Sequence, residues 1–167
     1  MFKLGDPRTA RDPNAIITSE TVTIDAPASL VWQILLDMPK YGDWNPFVVE
    51  CESTLEVGDP VKMKIKSYVN AEPEFFEHTE YICHFEPEKQ IAWMIPHYDY
   101  WPYPARRDQY IKATGPKSCE YYTATEFRGP NGIHVMRFTG SWVKQAFDDT
   151  AHALKAHAEK LYKASQS

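Results

Sequence analysis

The chain has 167 residues, 43% of them hydrophobic and 14% aromatic, which suffices for one domain with a sizeable core and leaves no room for a second. That composition excludes a disordered or fibrous protein, and no apolar run approaches the roughly 18 residues a membrane-crossing helix needs. Lys and Arg total 18 against 23 Asp and Glu, and the resulting net charge of -5 would repel a phosphate backbone, so no nucleic acid is expected as partner.

In chain order, residues 1–15 read as an N-terminal extension, charged at Lys3, Asp6, Arg8, Arg11 and Asp12 and without the apolar stretch of a secretory signal. Residues 16–165 read as a single domain. The β-branched run 16–25 predicts a first strand, and Ala26-Pro27 ends it. Pro27 at a first helical position, with Val31, Ile34, Leu35 and Met38 at helical spacing, predicts a short amphipathic helix. Phe47, Val49, Cys51, Ser53 and Leu55 then alternate with Val48 and three glutamates, and Val61, Met63 and Ile65 alternate with Lys62, Lys64 and Lys66 beyond the Gly58-Asp59-Pro60 turn. The acidic and basic rows are expected to face each other across a hairpin, which makes the lysines a solvated sheet face.

Further strands are predicted at 74–85, 90–97, 106–113 and 119–127, making an antiparallel meander. Last, Val143, Phe147, Ala151, Leu154, Ala158 and Leu161 share one face of a long helix whose opposite face is charged. The apolar side of the sheet is the only partner large enough to cover that stripe. The fold class is therefore α+β, a helix-grip arrangement in which a curved antiparallel sheet of about six or seven strands wraps a long C-terminal helix, with two short helices after the first strand. Cys51, Cys83 and Cys119, odd in number and widely spaced, read as buried free thiols in a reducing compartment, and the expected location is cytoplasmic.

Several stretches carry a resemblance: Ile24-Asp25-Ala26-Pro27 with Val31-Trp32, Tyr41-Gly42-Asp43-Trp44-Asn45-Pro46-Phe47, Leu55-Glu56-Val57-Gly58, Phe85-Glu86-Pro87 before Ile91-Ala92-Trp93, and Glu126-Phe127-Arg128-Gly129. In them the chain resembles the START-like (SRPBCC, Bet v 1-like) superfamily of helix-grip proteins, in particular its polyketide cyclase/dehydratase-type branch. The resemblance implies a large cavity between the helix and the concave sheet. It also implies a hydrophobic small-molecule partner, and a family that holds cyclases, dehydratases, carriers and chaperone activators.

Strand parity, extended back from Phe85, puts Glu77, Thr79, Tyr81 and Cys83 inward and turns His78, Glu80 and His84 to water, where they make no metal site. Ile91, Trp93, Ile95 and His97, then Arg107, Gln109 and Ile111, then Tyr121, Thr123 and Thr125 continue the inner set. Glu77, His97 and Arg107 are the candidate catalytic residues. In one reading they are half-solvated groups at strand ends; in the other His97 or Glu77 moves a proton and Arg107 holds an enolate or carboxylate oxygen. The candidate ligand-binding set is Tyr81, Trp93, Gln109, Tyr121, Thr123, Met136 and Gly140, with Tyr100 and Tyr103 from the aromatic loop 98–104. That loop either stacks on a flat ligand or caps the sheet or a dimer contact.

No P-loop, dinucleotide glycine pattern or Ser/His/Asp order appears, and no cofactor or metal is called for. The expected function is binding of a hydrophobic, aromatic small molecule with cyclase/dehydratase-like acid/base chemistry beside a carbonyl. The alternative is a non-catalytic carrier or sensor of a hydrophobic ligand or lipid. A monomer or weak homodimer is expected, with no membrane partner.

Overall fold

The computed structural model describes residues 6–167. Its sheet has eight strands, β1 (Ile16–Thr18), β2 (Val22–Ile24), β3 (Val48–Glu52), β4 (Pro60–Lys66), β5 (Phe75–Glu86), β6 (Gln90–Ile95), β7 (Ala105–Gly115) and β8 (Ser118–Phe127), with helices α1 (Ala28–Leu36) and α2 (Gly132–Ser165). The spatial order is β1-β8-β7-β6-β5-β4-β3, antiparallel throughout, and β2 also pairs with β8. The single first strand expected from 16–25 is two strands, because Ser19 enters the ladder with its side chain. Its hydroxyl accepts from Thr123 N at 3.0 Å while its own N–H donates to Thr123 O at 2.8 Å.

Pro27 is the N-cap of α1 and not its first helical residue, and a 3-10 turn at Met38–Asp43 stands where a second short helix was expected. The glutamate and lysine rows meet as foreseen, with Lys64 3.1 Å from Glu50 and Lys62 3.3 Å from Glu52. One face of β3 departs from the alternation. Val49 is an extra residue against β4, so Val48 turns inward and is buried with Phe47 and Cys51.

Helix α2 is 34 residues long and lies on β1, β2, β8 and α1, burying Val143, Ala146, Phe147, Thr150, Ala151, Leu154 and Ala158. Leu161, expected on that stripe, is 40% exposed because the last turns run beyond the core. Among the described residues no helix is long and apolar enough to cross a membrane. Residues 10–15 run beside β8 and the start of α2, with Gly129 N donating to Ala10 O at 2.9 Å and Arg11 pairing with Glu126 at 2.9 Å. Gly129, at φ +71°, is needed there, because a Cβ would lie 2.2 Å from Arg8 O.

Leu154 is fully buried at the centre of the helix stripe. Leu154→Ala is expected to cost about 2–5 kcal/mol, read as a lower urea midpoint at unchanged slope. A midpoint within error of wild type would mean the helix does not close the core.

Candidate functional site

The local structure of β5 decides which polar groups reach the interior. Ile82 pairs with Trp93 and His84 with Ala92, so Cys83 has no counterpart on β6 and forms a β-bulge. Beyond a bulge every side chain changes face. Phe85 points inward and packs on Trp32 at 5.3 Å between ring centroids, but on the far side of Cys83 the inward residues are Ile82, Glu80, His78 and Phe76. Glu77, Thr79 and Tyr81 face outward.

Between the sheet and α2 lies a cavity of about 170 Å³. Its apolar walls include Phe47, Met63, Ile65, Phe76, Trp142, Val143 and Phe147, and the ionisable residues on it are His78, Glu80 and Arg107. His78 Nε2 stands 3.3 Å from Glu80 Oε2, with the two side chains 29% and 11% exposed. Burial opposes the imidazolium, but the hydrogen bond and charge of Glu80 outweigh it and raise the His78 pKa above its ordinary value. The pair is thus a carboxylate that favours the charged form of an imidazole beside an apolar space, an arrangement suited to giving and taking a proton.

Arg107 also lines the cavity and is 6% exposed. Its guanidinium carbon lies 4.5 Å from the Phe147 ring centroid, 5.7 Å from Phe47 and 5.8 Å from Trp93, a three-ring cradle for a delocalised cation. Nε donates to Thr123 Oγ1 at 3.2 Å, and that hydroxyl donates to Asp108 O at 2.8 Å, which fixes the side chain. Arg107 makes no ion pair among the described residues. The adjacent buried carboxylate, Asp108, belongs to the other sheet face and is held by Arg106 at 2.8 Å and by Gln90 at 2.7 Å.

Next to Arg107 on the inner face, Tyr121 donates its hydroxyl proton to Gln109 Oε1 at 2.7 Å. Burial pushes the Tyr121 phenol up to about 12 against the pull of Arg107, so it stays a neutral donor. Trp93 Nε1 is buried and has no hydrogen-bond partner among the described residues, and Gln109 also adjoins the buried Tyr41 hydroxyl.

Of the three candidate catalytic residues, Arg107 lines the cavity and the other two do not. Glu77 is exposed on the outer face, turned there by the Cys83 bulge. His97 lies past the end of β6, in the loop 96–104 and within electrostatic reach of Asp6. Trp93, Gln109, Tyr121 and Thr123 are buried inward as expected from parity. Tyr81 is on the outer face, 36% exposed and adjoining Tyr98, for the same reason as Glu77.

Tyr100 stacks on Tyr98 at 5.1 Å and is 83% exposed, and Tyr103 packs edge-on against Trp101; neither lines the cavity. Met136 packs against the core, and Gly140 faces β1, where a Cβ would meet Ile17 Cδ1 at 3.3 Å, so that glycine serves helix–strand approach. His78 and Glu80 are the cavity-lining residues that parity missed. The signal was divided, since Phe76 and Ile82 sit at even positions and Phe75, Tyr81 and Phe85 at odd ones, and Ile82 and Phe85 share the inner face only if a bulge lies between them.

A family model described as polyketide cyclase / dehydrase and lipid transport matches residues 15–159. None of the curated proteins matches the sequence. Among solved structures the chain is similar to the Zhui aromatase/cyclase from Streptomyces sp. R1128, with 18% identity, 90% of this chain and 96% of that one covered and a TM-score of 0.66. It is also similar to a START superfamily protein from Mycobacterium smegmatis, at 17% identity, 87% and 98% coverage and TM-score 0.55. Norcoclaurine synthase from Thalictrum flavum follows at 17% identity, 91% and 96% coverage and TM-score 0.57. At such identities these likenesses are to the fold.

Proposed function

The chain belongs to the polyketide cyclase / dehydrase and lipid transport family, and on that premise we propose that it binds a flat hydrophobic small molecule in the cavity and moves protons beside a carbonyl of it. The observation that carries the proposal is the convergence of Glu80, His78 and Arg107 on one apolar cavity. In a space walled by Phe47, Trp142 and Phe147 a proton on carbon next to a carbonyl is removed by the His78–Glu80 pair. The charge then develops on the carbonyl oxygen, where the Arg107 guanidinium stabilises it as an enolate. Attack of that enolate on a second carbonyl closes a ring and leaves an alkoxide, to which the pair returns the proton. Removal of the second proton from the same carbon and its delivery to the new hydroxyl then expels water and leaves a double bond. Each step uses the same pair as base and then acid. The kinship in fold with an aromatase/cyclase and with norcoclaurine synthase supports this chemistry.

The test is proton exchange and dehydration of an aryl β-hydroxyketone. Glu80→Gln and His78→Gln are each expected to slow both by roughly a hundredfold to ten-thousandfold, while Glu77→Gln and His97→Gln leave them at the wild-type rate. Followed by NMR, the His78 titration should lie above 6.5 in the wild type and fall below it in Glu80→Gln, where desolvation alone remains. Saturable binding with no catalysis by the wild type would replace the enzyme with the carrier named above.

A further inference from the structure

We infer that the ligand of this cavity is a single aromatic ring carrying an anionic oxygen, a carboxylate or phenolate, and not a fused polycyclic or an acyl chain. The inference rests on the proposed site and narrows what enters it. The first observation is size. At about 170 Å³ the cavity is close to the roughly 150 Å³ that holds one benzene and well below the 300–1,000 Å³ of ordinary ligand pockets. Rings stand around it: Phe47, Phe147 and Trp142 all line the space, with Phe47 6.1 Å from Phe147 and 6.4 Å from Trp142 between centroids.

The second observation is charge. Glu80 is engaged by His78, whereas Arg107, almost wholly buried, makes no ion pair among the described residues. A buried guanidinium without a counter-ion is destabilising, and an anion bound against it offsets that cost.

A ring with a carboxylate or phenolate oxygen satisfies both observations, with its face on Phe147 or Phe47 and its oxygen at Arg107.

Benzoate, 2-naphthoate and benzamide separate the parts of this inference when titrated into the full chain by tryptophan fluorescence and calorimetry. Benzoate is expected to bind at least about tenfold tighter than benzamide, since a hydrogen bond to a charged group is worth that much, and tighter than 2-naphthoate, whose second ring exceeds a space of about 170 Å³. Arg107→Met, which keeps an apolar stem among the same rings, should bring benzoate down to the benzamide level. Arg107→Lys should restore part of the difference. Trp142→Ala, at a half-buried position, should turn the size preference toward 2-naphthoate. Equal affinity for 2-naphthoate in the wild type overturns the ring limit, and equal affinity for benzamide overturns the anion. Either result leaves the proton-transfer reading intact, because that is judged on Glu80 and His78. Failure of all three to bind overturns the inference and, if Glu80→Gln is also silent in exchange, the parent reading with it.

Discussion

A chain that stops at Trp142 is expected to show no cooperative melting transition. The stretch removed buries Val143, Phe147 and Leu154 in full, side chains worth about 1.5–3 kcal/mol each, together with Ala146, Thr150, Ala151 and Ala158. The three large residues alone account for about 5–9 kcal/mol, on the scale of the whole stability of about 5–15 kcal/mol that a domain of this kind has. The ion pairs that α2 carries on its outer side, such as Lys144–Asp148 and Lys155–Glu159, are exposed i,i+4 pairs and add little. The loss is not confined to the helix, because β1, β2 and β8 would turn their inner faces to water. Circular dichroism against temperature, with calorimetry, decides the matter. A single sharp transition with the full-length enthalpy would show that the sheet closes its own core without the helix.

The helix could be read from the chain because its period survives over many turns and its charged face is unbroken. The same holds for β7 and β8, which pair one to one from Ala105↔Phe127 to Ala113↔Cys119, so alternation alone put Arg107, Gln109, Tyr121 and Thr123 on the inner face. The 96–104 loop could not be read that way. It has no period, and its position is set by contacts distant in sequence, such as Asn131 Nδ2 donating to Pro102 O at 3.1 Å. Strand β5 was ambiguous for a different reason. Its sequence has Glu77 and Glu80 at opposite parities, and His78 beside Thr79, so either face can be taken as the polar one. Alternation cannot choose when both registers bury as much as they expose, and only the extra residue at Cys83 breaks the tie.

Ile82→Asp is therefore expected to be the most damaging single change outside the helix. Ile82 is fully buried on the inner face, directly across the ladder from Trp93. Losing the isoleucine costs about 1.5–3 kcal/mol, and an unpaired carboxylate in its place adds several more, so the loss should exceed about 3 kcal/mol. For a domain of this length that corresponds to a melting point lower by roughly 6 °C or more. Deleting Cys83 is the contrasting change. Ile82 and His84 already pair with the neighbours Trp93 and Ala92, so removing the residue between them leaves a regular ladder with Ile82, Glu80 and His78 still inward. That variant should keep the binding and the raised titration of His78. An Ile82→Asp variant that melts with the wild type, or a Cys83 deletion that loses the His78 titration, would place the bulge elsewhere and leave the orientation of Glu80 and His78 without a cause.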